Sequence, residues 1–212
     1  SVFDAHRESF VIDLHSANQY NDRDGFINSA FLYMEHFPYI SRLWFGEYFE
    51  YDLDPDYWLT EVSGIPFGLT GEMLEKGGHP YRGLVYGMTT RVYGNYNPGA
   101  IWKIFDSFDI ANAEMLGYWV DRSPIKTKNS NIKSTVYVKD DKVLIAIGSW
   151  SNKNEQVTLH IDWDALSFDK NSAQLSSPEI KGLQSLNTYD LNKPLTVEKN
   201  QGLILVLEKS SD

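Results

Sequence analysis

The chain has 212 residues, 42% of them hydrophobic, enough for one large domain or two modest ones with packed cores. A formal charge of −10 argues against nucleic acid or an anionic membrane as partner. The absence of cysteine excludes disulfides, thiolate metal sites and cysteine nucleophiles.

The elements fall into two halves. Phe3 to Phe10 reads as the end of a helix, followed by a strand at Phe10–His15 that runs into Ser16, Asn18, Gln19 and Asn21. Gly25–Tyr39 carries Phe26, Ala30, Leu32, Tyr33 and Phe37 at mixed three- and four-residue spacing, a helix stopped before Pro38. Arg42–Phe49 is the next strand. Tyr57–Leu74 holds Gly64, Pro66, Gly68 and Gly71, so a helix there is broken or short. Arg82–Val92 is expected as a third strand and Ala100–Phe108 as a final helix. Strands alternating with helices are the parallel α/β signature, but three such units are too few to close a barrel of eight.

Composition then shifts. Of the 30 aromatic residues, 25 precede residue 121, whereas 11 of the 13 lysines follow it. Asp121–Asn131 is polar and turn-prone, so residues 121–133 are expected as a linker between a domain at 1–120 and another at 134–212. The second is all-β by pattern. Thr135–Lys139 and Val143–Ile147 form a hairpin around Asp140-Asp141. Val157–Ile161 alternates, and Leu195–Glu198 and Leu203–Leu207 make another hairpin through Lys199–Gly202. Short strands at this spacing predict a small antiparallel β-sandwich. Trp150 and Trp163 are expected in its core.

Five blocks occur in order: Ile12-Asp13-Leu14-His15-Ser16, Leu43-Trp44-Phe45-Gly46-Glu47, Glu61–Gly68, Arg82–Thr89 and Glu114–Trp119. Together they resemble the C-terminal part of large bacterial glycoside-hydrolase-like proteins. The resemblance spans essentially the whole chain and implies a (β/α)8 barrel followed by a β-sandwich. The chain then corresponds to the last three β/α units of an incomplete barrel plus the sandwich, a fold of α/β plus all-β class. It also implies hydrolysis of glycosidic bonds, a carbohydrate partner and a bacterial periplasmic or secreted setting. No cofactor, metal, nucleic acid or membrane partner is expected. The chain starts at Ser1 with no visible signal peptide, and it is read as a piece of a longer precursor.

Glycosidases work with two carboxyl groups, one donating a proton and one acting as nucleophile or base, roughly 5–10 Å apart. Glu47 follows an apolar strand, at the end where barrels place catalytic groups. The competing reading is a structural Glu held by Arg42 or Arg91. Asp13 and His15 lie two apart and share a strand face; Asp13 is a candidate acid and His15 a ligand for a sugar hydroxyl. Their competing reading is a buried Asp–His or Asp–Arg pair.

Asn18 and Asn21 offer paired donors and acceptors, as sugar hydroxyls do, though such loops also simply turn. Tyr48 and Trp58 are the aromatics expected to stack on a pyranose, in a cluster otherwise read as core. Arg91 is placed to hold Glu47 ionised or to bind an acidic sugar, with structural pairing as the alternative. Asp52-Leu53-Asp54-Pro55-Asp56 begins like a calcium loop but has Tyr57 and Ser63 where the loop needs Gly and Glu, so it reads as a solvated acidic loop. The partner acid of Glu47 is expected upstream of Ser1, which makes the isolated chain inactive. A partial barrel leaves open sheet edges, so self-association, or packing on the missing barrel portion, is also expected. The alternative function is a non-catalytic carbohydrate-binding or structural accessory module.

Overall fold

The computed structural model describes residues 10–15, 38–45, 54–57, 59, 80–90, 98–210 and, in backbone, 70–73. It is mostly sheet with few helices. The chain divides into two compact units, residues 1–78 with 88–95, and residues 79–87 with 96–212.

The first unit is built on a parallel sheet of four strands in the order β1 (Asp13–His15), β2 (Arg42–Phe45), β3 (Thr70–Met73) and β4 (Thr89–Thr90). Parallel neighbours need crossovers of a dozen residues or more. Here β1 and β2 are paired at Asp13↔Arg42, and β2 and β3 at Arg42↔Thr70. The backbone of β1 is tied to the approach to β2, since the Ser41 and Arg42 amides both donate to the Ile12 carbonyl. One helical turn, α1 (Pro55–Tyr57), follows Asp54, whose Oδ1 accepts from the Asp56 N–H at 2.8 Å. The helices expected at 3–10 and over 25–37, and the end of the strand at 46–49, lie outside the described residues.

Two expectations are corrected here. The segment Arg82–Val92 is not one strand: Pro80–Val85 is a helix, α2, and among the described residues of the segment only Thr89–Thr90 pairs as a strand. The run Gly83–Met88 is apolar without a decisive period, so it fits a buried helix as well as a strand. Pro80 at the first helical position and Tyr81, Leu84 and Val85 at helical spacing, all buried, settle it as helix. Conversely, Thr70–Met73 is a strand where a broken helix was expected. Gly71 and Glu72 give it none of the β-branched content that marks strands.

The second unit centres on a six-stranded antiparallel sheet, ordered β12-β11-β14-β8-β7-β5. Its strands are β5 (Glu114–Leu116), β7 (Ile132–Val138), β8 (Lys142–Ser149), β11 (Ala173–Ser177), β12 (Asn187–Tyr189) and β14 (Gly202–Lys209). The β7–β8 hairpin forms as expected, with Val138 opposite Val143. Residues Val143 to Ile147 are all fully buried, which requires cover on both faces.

On one face Val143, Ile145, Ile147, Leu205 and Leu207 pack with Ile125, Val157, Phe168, Leu195 and Val197. These come partly from two small sheets, β6 (Ile125–Lys126) with β10 (His160–Ile161), and β9 (Glu155–Val157) with β13 (Leu195–Val197). On the other face Leu144, Ala146, Tyr137 and Ile204 pack against Tyr81 and Leu84 of α2 and Ile101, Phe105 and Phe108 of α3 (Gly99–Phe108). Each buried Val, Leu, Ile or Phe among them contributes about 1.5–3 kcal/mol by leaving water.

The hairpin expected between Leu195–Glu198 and Leu203–Leu207 is also corrected. Strand β13 pairs with β9, and β14 with β8 and β11. Asn200, in the left-handed region at φ 50°, lies in the turn that carries the chain from one sheet to the other. The alternating run Val157–Ile161 splits between β9 and β10, which pair with different partners. Ile125, within the stretch expected as a linker, is fully buried.

Candidate functional site at the carboxyl ends of the parallel strands

The strands β1 to β4 run in parallel, so their carboxyl ends lie at one edge of the sheet. Register aligns two rows of positions across it. The inner row is Asp13, Arg42 and Thr70; the outer, nearer the carboxyl ends, is His15, Trp44, Glu72 and Thr89. Strand alternation puts both rows on one sheet face. The outer row therefore aligns four register positions, occupied in this sequence by a histidine, a tryptophan, a glutamate and a threonine.

In the inner row Arg42 grips Asp13 in a two-pronged fork. Its Nε donates to Oδ1 at 2.9 Å and its Nη2 to Oδ2 at 2.8 Å. This geometry gives the strongest form of carboxylate recognition by a side chain. The Arg42 hydrogen bond holds the Asp13 carboxyl below its ordinary value of 3.8, against an opposing effect of desolvation, with the Arg42 charge adding the smallest share. An Asp–Arg pair is thus present, but it is not buried: the two side chains are 35% and 36% exposed.

Of the other sequence candidates, His15 ends β1 in the outer row. Glu47, Asn18, Asn21, Tyr48, Trp58 and Arg91 lie outside the described residues, as do Ser16 and Gln19. Among the described residues no three His, Asp or Glu side chains cluster as metal ligands, and no helix is long and apolar enough to cross a membrane.

Sequence reasoning missed Glu72. The signal that finds it is spacing, because β1 and β2 are offset by 29 residues and β2 and β3 by 28. That repeat calls for a strand at residue 70, where composition suggests none.

In the second unit, Trp150 is partly buried beside Arg82, whose guanidinium carbon lies 5.0 Å from the indole centre, and Tyr86, 6.0 Å away edge-on. The Trp150 Nε1–H is buried with no hydrogen-bond partner among the described residues. Trp163 is half-buried, its ring 6.5 Å from that of Phe168.

Residues 1–93 match the family model described as glycoside hydrolase 123, TIM-barrel domain, and residues 97–208 the one described as glycoside hydrolase 123, C-terminal domain. No curated protein matches the chain. Among solved structures, a GH30 endoxylanase from Clostridium papyrosolvens C71 is similar at 12% identity and a TM-score of 0.44, over 94% of this chain and 56% of that one. A noncanonic maltogenic alpha-amylase, AmyB, from Thermotoga neapolitana is similar at 10% identity and a TM-score of 0.46, over 95% of this chain and 55% of that one. The chain thus spans little more than half the length of these two structures.

Proposed function

The chain belongs to the glycoside hydrolase 123 family, and from that premise we propose that it supplies one part of a carbohydrate site that cleaves glycosidic bonds with carboxyl groups. The observation that carries the reading is the outer row His15, Trp44, Glu72 and Thr89 at the carboxyl ends of four parallel strands. β/α barrels place their chemistry at that end. In this reading β1 to β4 are the last strands of such a barrel and the second unit is the β-sandwich that follows it. Glu47, two residues past the end of β2, is the candidate nucleophile or base. Asp13 is held ionised by Arg42, which suits a positioning or electrostatic role and not proton donation. The proton donor is then either Glu72 or a carboxyl on a strand outside this chain.

The substrate is an oligo- or polysaccharide, with His15, Asn18, Asn21, Tyr48, Trp58 and Arg91 around it. A periplasmic or secreted location follows, because a glycan polymer does not diffuse across a membrane. The competing reading, a module that binds carbohydrate without cleaving it, draws support from Asp13, whose two carboxylate oxygens are both engaged by Arg42.

Turnover of a panel of aryl glycosides and polysaccharides, by protein carrying this chain with its full barrel, decides between them. The catalytic reading predicts that Glu47→Gln lowers kcat at least 100-fold, on the order expected for loss of a general base, with binding retained. Wild-type protein that binds saccharide and turns none over establishes the binding module. Full activity in Glu47→Gln removes Glu47 from the chemistry.

A further inference from the structure

We propose that the second unit carries a separate subsite for an anionic sugar residue, carboxylated or sulfated, in the groove between Tyr118 and the turn joining β6 to β7. The class of ligand rests on the carbohydrate reading above; the site itself rests on the following geometry. The groove has a volume of about 170 Å³, the scale of a single sugar unit, and Tyr118, Lys126, Lys128, Asn129 and Lys133 are among its lining residues. Three of its eight lining residues are lysines and none is acidic, on a chain whose net charge is −10.

The lysines are not spent on ion pairs. Among the described residues no carboxylate pairs with any of the three. Lys126 Nζ donates to a neutral acceptor, the Asp121 backbone carbonyl, at 2.7 Å. Its register partner on β10 is His160, not an acid. Asp162, beyond β10, is engaged as a cap, accepting the Asp164 N–H at 3.2 Å. Lys133 Nζ lies 5.1 Å from the centre of the half-buried Tyr118 ring, so charge and an aromatic surface meet at one place.

The turn also carries strain. Lys128 is exposed and sits at φ 54°, in the left-handed region where a lysine is disfavoured and Gly or Asn would relieve the backbone. Backbone strain in the rim of a charged groove is the pattern of a functional position. Together these features match a ligand with one anionic group, held by lysine ammonium groups, and a ring whose C–H face rests on Tyr118.

Calorimetric titration of the 212-residue chain with sulfated, uronic-acid and neutral oligosaccharides of equal length tests the site. Binding of either anionic ligand, weakened by added salt, is expected, and the stronger of the two identifies the anionic group. Lys126→Gln and Lys133→Gln should each weaken it roughly fivefold, the upper range for an exposed charge contact. Lys128→Gly removes a charge and relieves the turn, so it should weaken binding to a similar extent while preserving or raising Tm. No binding of either anionic ligand, anionic binding with no salt-sensitive component beyond that of the neutral one, or unchanged affinity in all three lysine variants overturns the proposal. These readouts are independent of turnover, so their failure leaves the reading of the parallel sheet standing, and the reverse holds as well.

Discussion

Asp13 and Arg42 are register partners on adjacent parallel strands, and both oxygens of the Asp13 carboxylate are held by the Arg42 guanidinium at 2.8 and 2.9 Å. The fork fixes the row of the sheet immediately behind His15 and Trp44. It also sets the protonation state of Asp13. The folded value lies below the ordinary 3.8, so the pair stabilises the fold above that pH and loses its contribution as pH falls through the lowered value. Asp13→Asn should therefore be less stable than the wild type at neutral pH, with the gap closing below about pH 3.8. Urea midpoints for both proteins across the acid range check this, and a gap that persists unchanged to about pH 2 contradicts it.

Tyr137 joins the six-stranded sheet to α2. Its buried hydroxyl donates to the Leu84 carbonyl at 3.0 Å, and burial pushes the phenol well above its ordinary value of 10.0. Tyr137→Phe removes one of two hydrogen bonds to that carbonyl, which still accepts from the Gly87 N–H at 3.1 Å, and should cost about 0.5–1.5 kcal/mol in chemical denaturation. The pH dependence has a definite sign. Below pH 10 neither state ionises; above it the unfolded phenol does and the folded one does not, so stability falls as pH rises. The wild type should lose stability more steeply above pH 10 than Tyr137→Phe, as measured by parallel titrations of the midpoint.

Gly202 faces Gly148 where β14 pairs with β8. A Cβ at residue 202 would lie 2.0 Å from the Ile147 carbonyl oxygen and 2.5 Å from Tyr81 Cβ. Backbone cannot yield there without disturbing the central pair of strands. Gly202→Ala should destabilise by about 3 kcal/mol, the upper range for overpacking. The control is Gly182→Ala, which meets nothing within 4 Å and pays only for its positive φ of 79°. Its expected cost is about 1–2 kcal/mol. Comparable losses in the two variants contradict the close-approach account.

Strands β1 and β4 each have one neighbour among the described residues. Unpaired parallel edges are templates for association. The 212-residue chain alone should self-associate in a concentration-dependent way, read by light scattering. A monomer across the accessible range contradicts this.

The sequence was most legible where pattern and burial agree. The β7–β8 hairpin is written in its Asp140-Asp141 turn and apolar flanks. Helix α3 is written in Ile101, Phe105 and Phe108, all buried on one side. The reading failed where tertiary cover decided the outcome. Tyr81 and Leu84 are buried because α2 packs on the sheet of its own unit, which an apolar run without a clear period does not announce. Thr70–Met73 is a strand because its neighbours pair with it, and beyond Thr70 its own residues carry little such preference. Strands β13 and β14 lie close in sequence but pair in different sheets. At the candidate site, alternation alone sets Asp13 and His15 on one strand face, whereas the position of Glu72 needs the repeat spacing of the strands.

The central claim is that the carboxyl edge of the β1–β4 sheet holds part of a glycoside-cleaving site. Its most direct test is titration of the 212-residue chain with neutral oligosaccharides, followed by the indole fluorescence of wild type, His15→Ala and Arg91→Ala, with hydrolysis assayed in the same samples. The account predicts saturable binding by the wild type, weakened in both variants, without turnover. Neutral saccharide that fails to bind, or binds unchanged in both variants, contradicts the site; turnover by the chain alone contradicts the claim that it holds only part of one.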